Sequence, residues 1–173
     1  MAARNRLPPW HEMIRVADGR EILIRPIRPD DEVPLEAGLA LLEPKALRHR
    51  FPPTAKLVRP DPRREFVIIA SEPLPAGEAV VAAVARAAQA EDGSDADFAI
   101  VVGRFIAGMG LGRHLMRRLV RWARGKRLQR LCGDVPADNE PMLALAGSLG
   151  FRQEASDSEG YVRVVLDLVE ERE

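Results

Sequence analysis

Cysteine is nearly absent: Cys132 is the single one in 173 residues, so no internal disulfide can form and no zinc site of paired cysteines is available. Aromatic residues make up only 5%, too few for the interleaved stacking platform that binds single-stranded nucleic acid. No apolar run approaches a membrane span, and the basic N-terminus carries no apolar stretch of signal-peptide length. Neither sign of charge prevails, since 26 Lys and Arg balance 26 Asp and Glu. No global field therefore draws the chain to nucleic acid, membranes or acidic substrates. His11, His49 and His114 are scattered without metal-ligand spacing, and no metal is expected. What remains is a soluble chain of one-domain length, for which a cytoplasmic, reducing location is expected.

Residues 1–18 combine Pro8, Pro9 and charges without periodicity and read as an arm, with one domain over 19–173. A first strand is expected over Glu21 to Arg28. Pro29-Asp30-Asp31 then starts a helix to about Leu42, and a second short helix over Ala46 to Arg50 is ended by Pro52 and Pro53. Phe66 to Ala70 and Ala79 to Ala87 read as an antiparallel pair, and Asp97 to Val102 as a further strand. Leu111, Leu115, Leu119 and Trp122 recur at helical spacing. Leu131 to Val135 is a short strand, a helix capped by Asp138 or Asn139 reaches Leu149, and Tyr161 to Leu168 closes the chain. The order is β, α, α, β, β, β, α, β, α, β, a mixed α/β sheet.

Between the strand ending near Val102 and the basic helix lies Ala107-Gly108-Met109-Gly110-Leu111-Gly112-Arg113. Glycines let backbone N–H groups approach a ligand closely, and a helix N-terminus adds partial positive charge, so the segment suits a phosphate or pyrophosphate. An isolated glycine cluster can equally be a plain strand-to-helix turn. A dinucleotide fingerprint from Gly108 fails at Arg113, and the Gly-Lys-Ser/Thr of a P-loop is absent.

The segment is similar to the acetyl-CoA loop of the GNAT N-acetyltransferase superfamily, Gln/Arg-x-x-Gly-x-Gly/Ala, with Gly110 and Gly112 at its small positions. Ile24-Arg25-Pro26-Ile27-Arg28-Pro29-Asp30-Asp31 resembles the family's opening strand and helix, and Asn139 to Phe151 its closing Asn, Met, Leu, Leu-Gly-Phe pattern. Ala96-Asp97-Phe98-Ala99-Ile100-Val101-Val102 resembles the corresponding strand of bacterial protein-lysine acetyltransferases related to Pat, with Asp97 at the glutamate position.

This resemblance implies an α/β fold with a mostly antiparallel sheet of about six or seven strands and about four helices, splayed where Asp97–Val102 parts from Leu131–Val135. It implies acetyl-CoA as co-substrate, direct transfer to a primary amine, and Asp97 as general base. Backbone groups of Ile100, Val101 and Val102 would hold the acetyl carbonyl and the pantetheine arm, and amides across Ala107, Gly108, Met109, Gly110, Leu111, Gly112 and Arg113 the pyrophosphate. Asn139 and Met142 would lie beside the pantetheine, although Asn139 is also a good helix cap and Asp97 could simply end a hairpin turn. Two positions depart from the pattern: Ala107 replaces Gln/Arg, and Ala146 stands where many relatives place a tyrosine.

The acceptor is expected to be a small amine or a protein lysine. Between Phe98 and Gly133 lie eight arginines and Lys126 without one acidic residue. The result is a basic helix face that is either solvated or placed against cofactor phosphates or an acidic partner. A homodimer could form through strand edges beside the Ala70–Gly77 gap. A domain that binds acyl-CoA as a sensor without turnover is the alternative to an enzyme.

Overall fold

The computed structural model describes residues 11–40, 51–103 and 106–169. Eight strands form one sheet in the order β1-β2-β3-β4-β5-β6-β8-β7. They are β1 (Glu12–Arg15), β2 (Glu21–Pro26), β3 (Glu65–Ser71), β4 (Val81–Gln89), β5 (Asp95–Val102), β6 (Arg130–Pro136), β7 (Arg152–Ala155) and β8 (Tyr161–Asp167). Four α-helices lie among the described residues: α1 (Glu32–Ala40), α2 (Thr54–Leu57), α3 (Leu111–Gly125) and α4 (Glu140–Ser148), with a 3-10 turn over Pro29–Asp31 leading into α1.

The count of strands exceeds the expected six or seven because β7 buries no apolar residue and β1 is only four residues long, with Ile14 as its one buried side chain. Arg152–Ala155 is exposed along its whole length and is a strand only through its pairing with β8. Glu12–Arg15, inside the segment read as an arm, pairs with β2. α2 also differs from expectation: Pro53, read as a helix stop, has the extended geometry of a residue just before a helix, and Thr54 starts one. The expected helix over Ala46 to Arg50 lies outside the described residues.

Alternation along the strands divides the core in two. Ile24, Ile68, Phe98 and Ile100 face α3, where Leu111, Leu115, Met116 and Leu119 are buried. Val67, Ile69, Val84, Ala99 and Val101 face α1 and α2, against Leu35, Leu57 and Val58. Trp122 of α3, expected in the core, is partly buried and stacks on Phe66 at 5.7 Å.

β3 and β4 are interior strands, each paired on both sides. The sheet therefore ends at β1 and β7, and the edges expected beside the Ala70–Gly77 gap are already occupied. Among the described residues no helix is long and apolar enough to cross a membrane.

All pairings are antiparallel except β5 with β6. That parallel ladder comprises Asp95↔Arg130, Ala96↔Leu131 and Asp97↔Cys132, and then it stops. Beyond Asp97 the two strands part, while β4 continues beside β5 to Val102 and β8 beside β6 to Pro136. The sheet is thus splayed at its centre, between the two strands expected to separate.

Candidate active site

Phe98 stands where the strands part, and its ring lies against Gly133. A Cβ at Gly133 would come within 2.5 Å of that ring, so the glycine inside β6 is required by close approach. Phe151 meets Phe98 edge to face at 5.7 Å, which fixes the ring on the α3 side of the gap.

On the opposite face, a cleft of about 340 Å³ opens at the same point, lined by Arg86, Asp97, Ala99, Asp134, Ser158 and Tyr161 among others. Asp97 shares its side of β5 with Ala99 and Val101 because side chains alternate across the sheet, and its carboxylate reaches solvent at the cleft. Arg163 of β8 donates to Asp97 Oδ1 at 2.9 Å and lies 3.4 Å from Asp134 Oδ1. Ser156 donates to the same Asp134 oxygen at 2.9 Å. Burial works against the charge of Arg163, but the two carboxylates outweigh it and raise its pKa further. Cys132, beside Asp97 in register, is buried, and burial pushes its thiol pKa up, so it remains protonated.

Arg86 forms another wall. Its guanidinium donates to Glu65 Oε2 at 2.6 Å, while its buried Nε has no hydrogen-bond partner. Tyr161, the only tyrosine of the chain, lines the cleft from the start of β8. Ala146, at the position where many members of the resembled family place a tyrosine, is fully buried in α4 and presents no hydroxyl.

The glycine segment lies beyond the far end of β5. Gly108 and Gly110 have φ of +81° and +89° with nothing within 4 Å of where a Cβ would be, so their backbone is bare on that side. Gly110 precedes α3 and offers no side-chain cap, which leaves the first-turn N–H groups to be satisfied from outside the helix. Gly112 is different: it is helical, and a Cβ there would meet Leu145 at 3.3 Å, so it lets α3 and α4 approach. Leu111 is buried in the core, and Met109 packs partly against it.

The neighbouring cations are accounted for individually. Arg113 donates to Ser148 at 2.9 Å, and Arg20, from the β1–β2 turn, approaches the Met109 sulfur at 3.5 Å. Asn139 caps α4, accepting the Met142 amide at 3.2 Å, and Met142 packs on the core beside it. Ile100 and Val101 are buried, with Val102 half-buried at the end of β5.

The structure thus gathers Asp97, the unpaired side of β5 from Phe98 to Val102 and the glycine loop along one strand and its exit. Bare backbone donors at a helix start fit phosphate oxygens, and a free strand edge fits the amide groups of a pantetheine arm. The residues present therefore fit acetyl-CoA, with Ala107 contributing no charge. A wider hollow of about 650 Å³, between the β1–β2 turn and the β3–β4 loop, is lined by Arg15, Arg20, Glu72, Leu74 and Val80 among others. Its lining includes neither Asp97 nor Gly108, Gly110 or Gly112. Among the described residues no group of three His, Cys, Asp or Glu is arranged to hold a metal ion.

No local motif marks Asp134, Arg86 or Arg163 as site residues, and Phe98 belongs to one only as part of the Ala96–Val102 strand pattern. Gly133 within a strand was an available signal for the close approach of Phe98, whereas Arg163 is brought to Asp97 only by the β6–β8 register.

The fold is shared with solved structures. The GNAT domain of S. lividans PAT superposes with a TM-score of 0.75 at 22% identity, over 93% of this chain and 99% of that one. The Salmonella typhimurium protein yncA, solved with its cofactor acetyl-CoA, gives 0.66 at 19% identity, over 87% and 95%. The cAMP-binding acyltransferase of Mycobacterium smegmatis gives 0.65 at 24% identity over 92% of this chain, which spans 48% of that longer protein. Residues 37–151 match the acetyltransferase (GNAT) family, a span that includes the splayed strands, the glycine loop and the Asn139 cap, and the chain accordingly belongs to that family of acyltransferases.

Proposed function

We propose that the protein transfers an acetyl group from acetyl-CoA to a primary amine by direct attack, both substrates being bound together, with a protein lysine as a candidate acceptor. The observation that carries this reading is the free side of β5. Its ladder with β6 ends at Asp97, so one strand has a carboxylate at the cleft, unpaired backbone along its middle and the glycine loop beyond its end. The S. lividans neighbour, described as the GNAT domain of PAT, supports considering a lysine acceptor.

Acetyl-CoA supplies the activated thioester. Backbone groups of Ile100, Val101 and Val102 hold the pantetheine arm and polarise the acetyl carbonyl. Amides from Gly108 to Arg113 hold the pyrophosphate, assisted by the dipole of α3. Asn139 and Met142, at the start of α4, border the pantetheine. An amine attacks only after losing its proton, and Asp97 accepts that proton directly or through a water, which an aspartate one methylene shorter than glutamate makes room for. With Ala146 lacking a hydroxyl, the departing thiolate takes its proton from solvent.

The test combines calorimetric titration with acetyl-CoA and thiol release with lysine peptides and small amines. Asp97→Asn is expected to lower kcat by about 100-fold or more while leaving acetyl-CoA affinity unchanged. Equal rates in the two proteins would remove Asp97 as base. Saturable binding by the wild-type protein without thiol release from any amine would identify an acyl-CoA-binding module instead of an enzyme.

A further inference from the structure

We infer that Arg163 is a positioning residue for the base: by bridging Asp97 and Asp134 across the point where β5 and β6 part, it aims the Asp97 carboxylate into the cleft. This rests on the reading of Asp97 as the proton acceptor.

The Asp97 side chain is 65% exposed, and a carboxylate so open to water has no packing to select its rotamer. The hydrogen bond from Arg163 Nη2 at 2.9 Å supplies the missing constraint. Arg163 is itself fixed at a second point, since its other terminal nitrogen lies 3.4 Å from Asp134 and Ser156 holds Asp134 in turn. The anchor belongs to β6 and the arginine to β8, directly opposite in register. The bridge therefore transmits the rigid β6–β8 ladder to a side chain on the far side of the gap.

The other charged groups around Asp97 are already engaged. Asp95 of β5 pairs with Arg130 of β6 at 3.0 Å, and Arg86 of β4 is held by Glu65 of β3. The Cys132 thiol on β6 is buried and protonated. Glu154 of β7 faces Arg163 in register but pairs with Arg152 at 3.0 Å. Tyr161 of β8 lines the cleft without charge. Arg163 is thus the cation that β8 presents to the base. An ion pair this exposed contributes little to stability, so its effect is expected in orientation, which near-attack geometry requires.

The experiment is a double-mutant cycle on the purified full chain. Arg163→Met is expected to lower kcat about tenfold, with the acceptor KM, the acetyl-CoA dissociation constant and the melting temperature near wild type, and Arg163→Lys is expected to recover part of the rate. Added to Asp97→Asn, Arg163→Met should cost nothing further, because a residue that acts through Asp97 has nothing left to position. NMR scalar couplings should report one Asp97 χ1 rotamer in the wild type and averaging in R163M. A wild-type rate in R163M, or a full additional loss in the double variant, would overturn the inference while leaving Asp97 as base. A wild-type rate in Asp97→Asn would overturn both. Arg163→Gln, which keeps hydrogen-bonding capacity near the stem, carries the same expectations for the cycle if R163M does not fold.

Discussion

Asp31 is the residue on which the opening of the domain depends. Arg25 and Asp31 are only 3% and 1% exposed and form a two-point pair at 2.7 and 2.9 Å. The same carboxylate accepts the Arg28 amide at 2.7 Å, so one side chain ties β2, the turn at Pro29 and the start of α1. Three donors share the carboxylate, and a buried charge pair is tolerated only when its groups are hydrogen-bonded in this way. Replacing one partner leaves the other charge buried and alone. Asp31→Ala is expected to cost about 3–5 kcal/mol, read as a lower urea midpoint with the slope unchanged. A loss within about 0.5 kcal/mol, the scale of an ordinary surface substitution, would mean that water replaces the carboxylate beside Arg25.

At the scale of elements, the glycine loop separates two demands that one motif combines. Gly110 needs a left-handed φ of +89°, whereas Gly112 is helical and needs only the absence of a bulky group facing Leu145. Gly110→Ala is expected to lower stability by about 1–2 kcal/mol and, by distorting the start of α3, to weaken acetyl-CoA binding measured by calorimetry. Gly112→Ala should change stability less, since Leu145 presents a flexible methyl. The reverse ranking would show that helix approach, not loop backbone, governs the site.

The same contrast explains what was legible in the sequence. The strands β2 to β6 and β8 and the helix α3 were readable because buried apolar residues recur at the period of each element, whereas α4, which buries only Ala146, was marked by its Asn139 cap and by Gly150. β7 was not, since Arg152–Ala155 buries nothing and its pairing with β8 is long-range information. α2 was hidden because proline both stops and starts helices. Asp97 and the loop glycines were legible as residue types in a recognisable local order. Arg163 lies 66 residues from Asp97, and no local pattern encodes that meeting. The motif thus points to the proposed chemistry of the site, and the register of β6 with β8 brings in the contact proposed to orient it.

For the whole molecule, stability is expected to fall toward acid in two windows, one set by His11 beside β1 and the other by Glu65 at the start of β3. His11 has a pKa lowered from 6.5, first by burial and then by Arg28 and Arg25. The unfolded chain therefore takes up this proton more readily, and folding loses stability as pH drops below about 6.5. Glu65 is also lowered, from 4.5: burial alone would raise it, but the Asp61 amide at 2.7 Å and the Arg86 guanidinium at 2.6 Å together prevail. Its contribution is fully present above 4.5 and is lost as pH falls through the folded value. Urea unfolding across pH should show both declines, with His11→Gln flattening the upper window and Glu65→Gln the lower. Because Glu65 also holds Arg86 in the wall of the cleft, Glu65→Gln couples the two scales: its stability loss should be greatest above pH 4.5, where the native carboxylate is charged, and should shrink in acid. A loss of equal size at every pH would mean that Glu65 acts by shape alone, and that the charge of Arg86 at the cleft needs no anion to hold it.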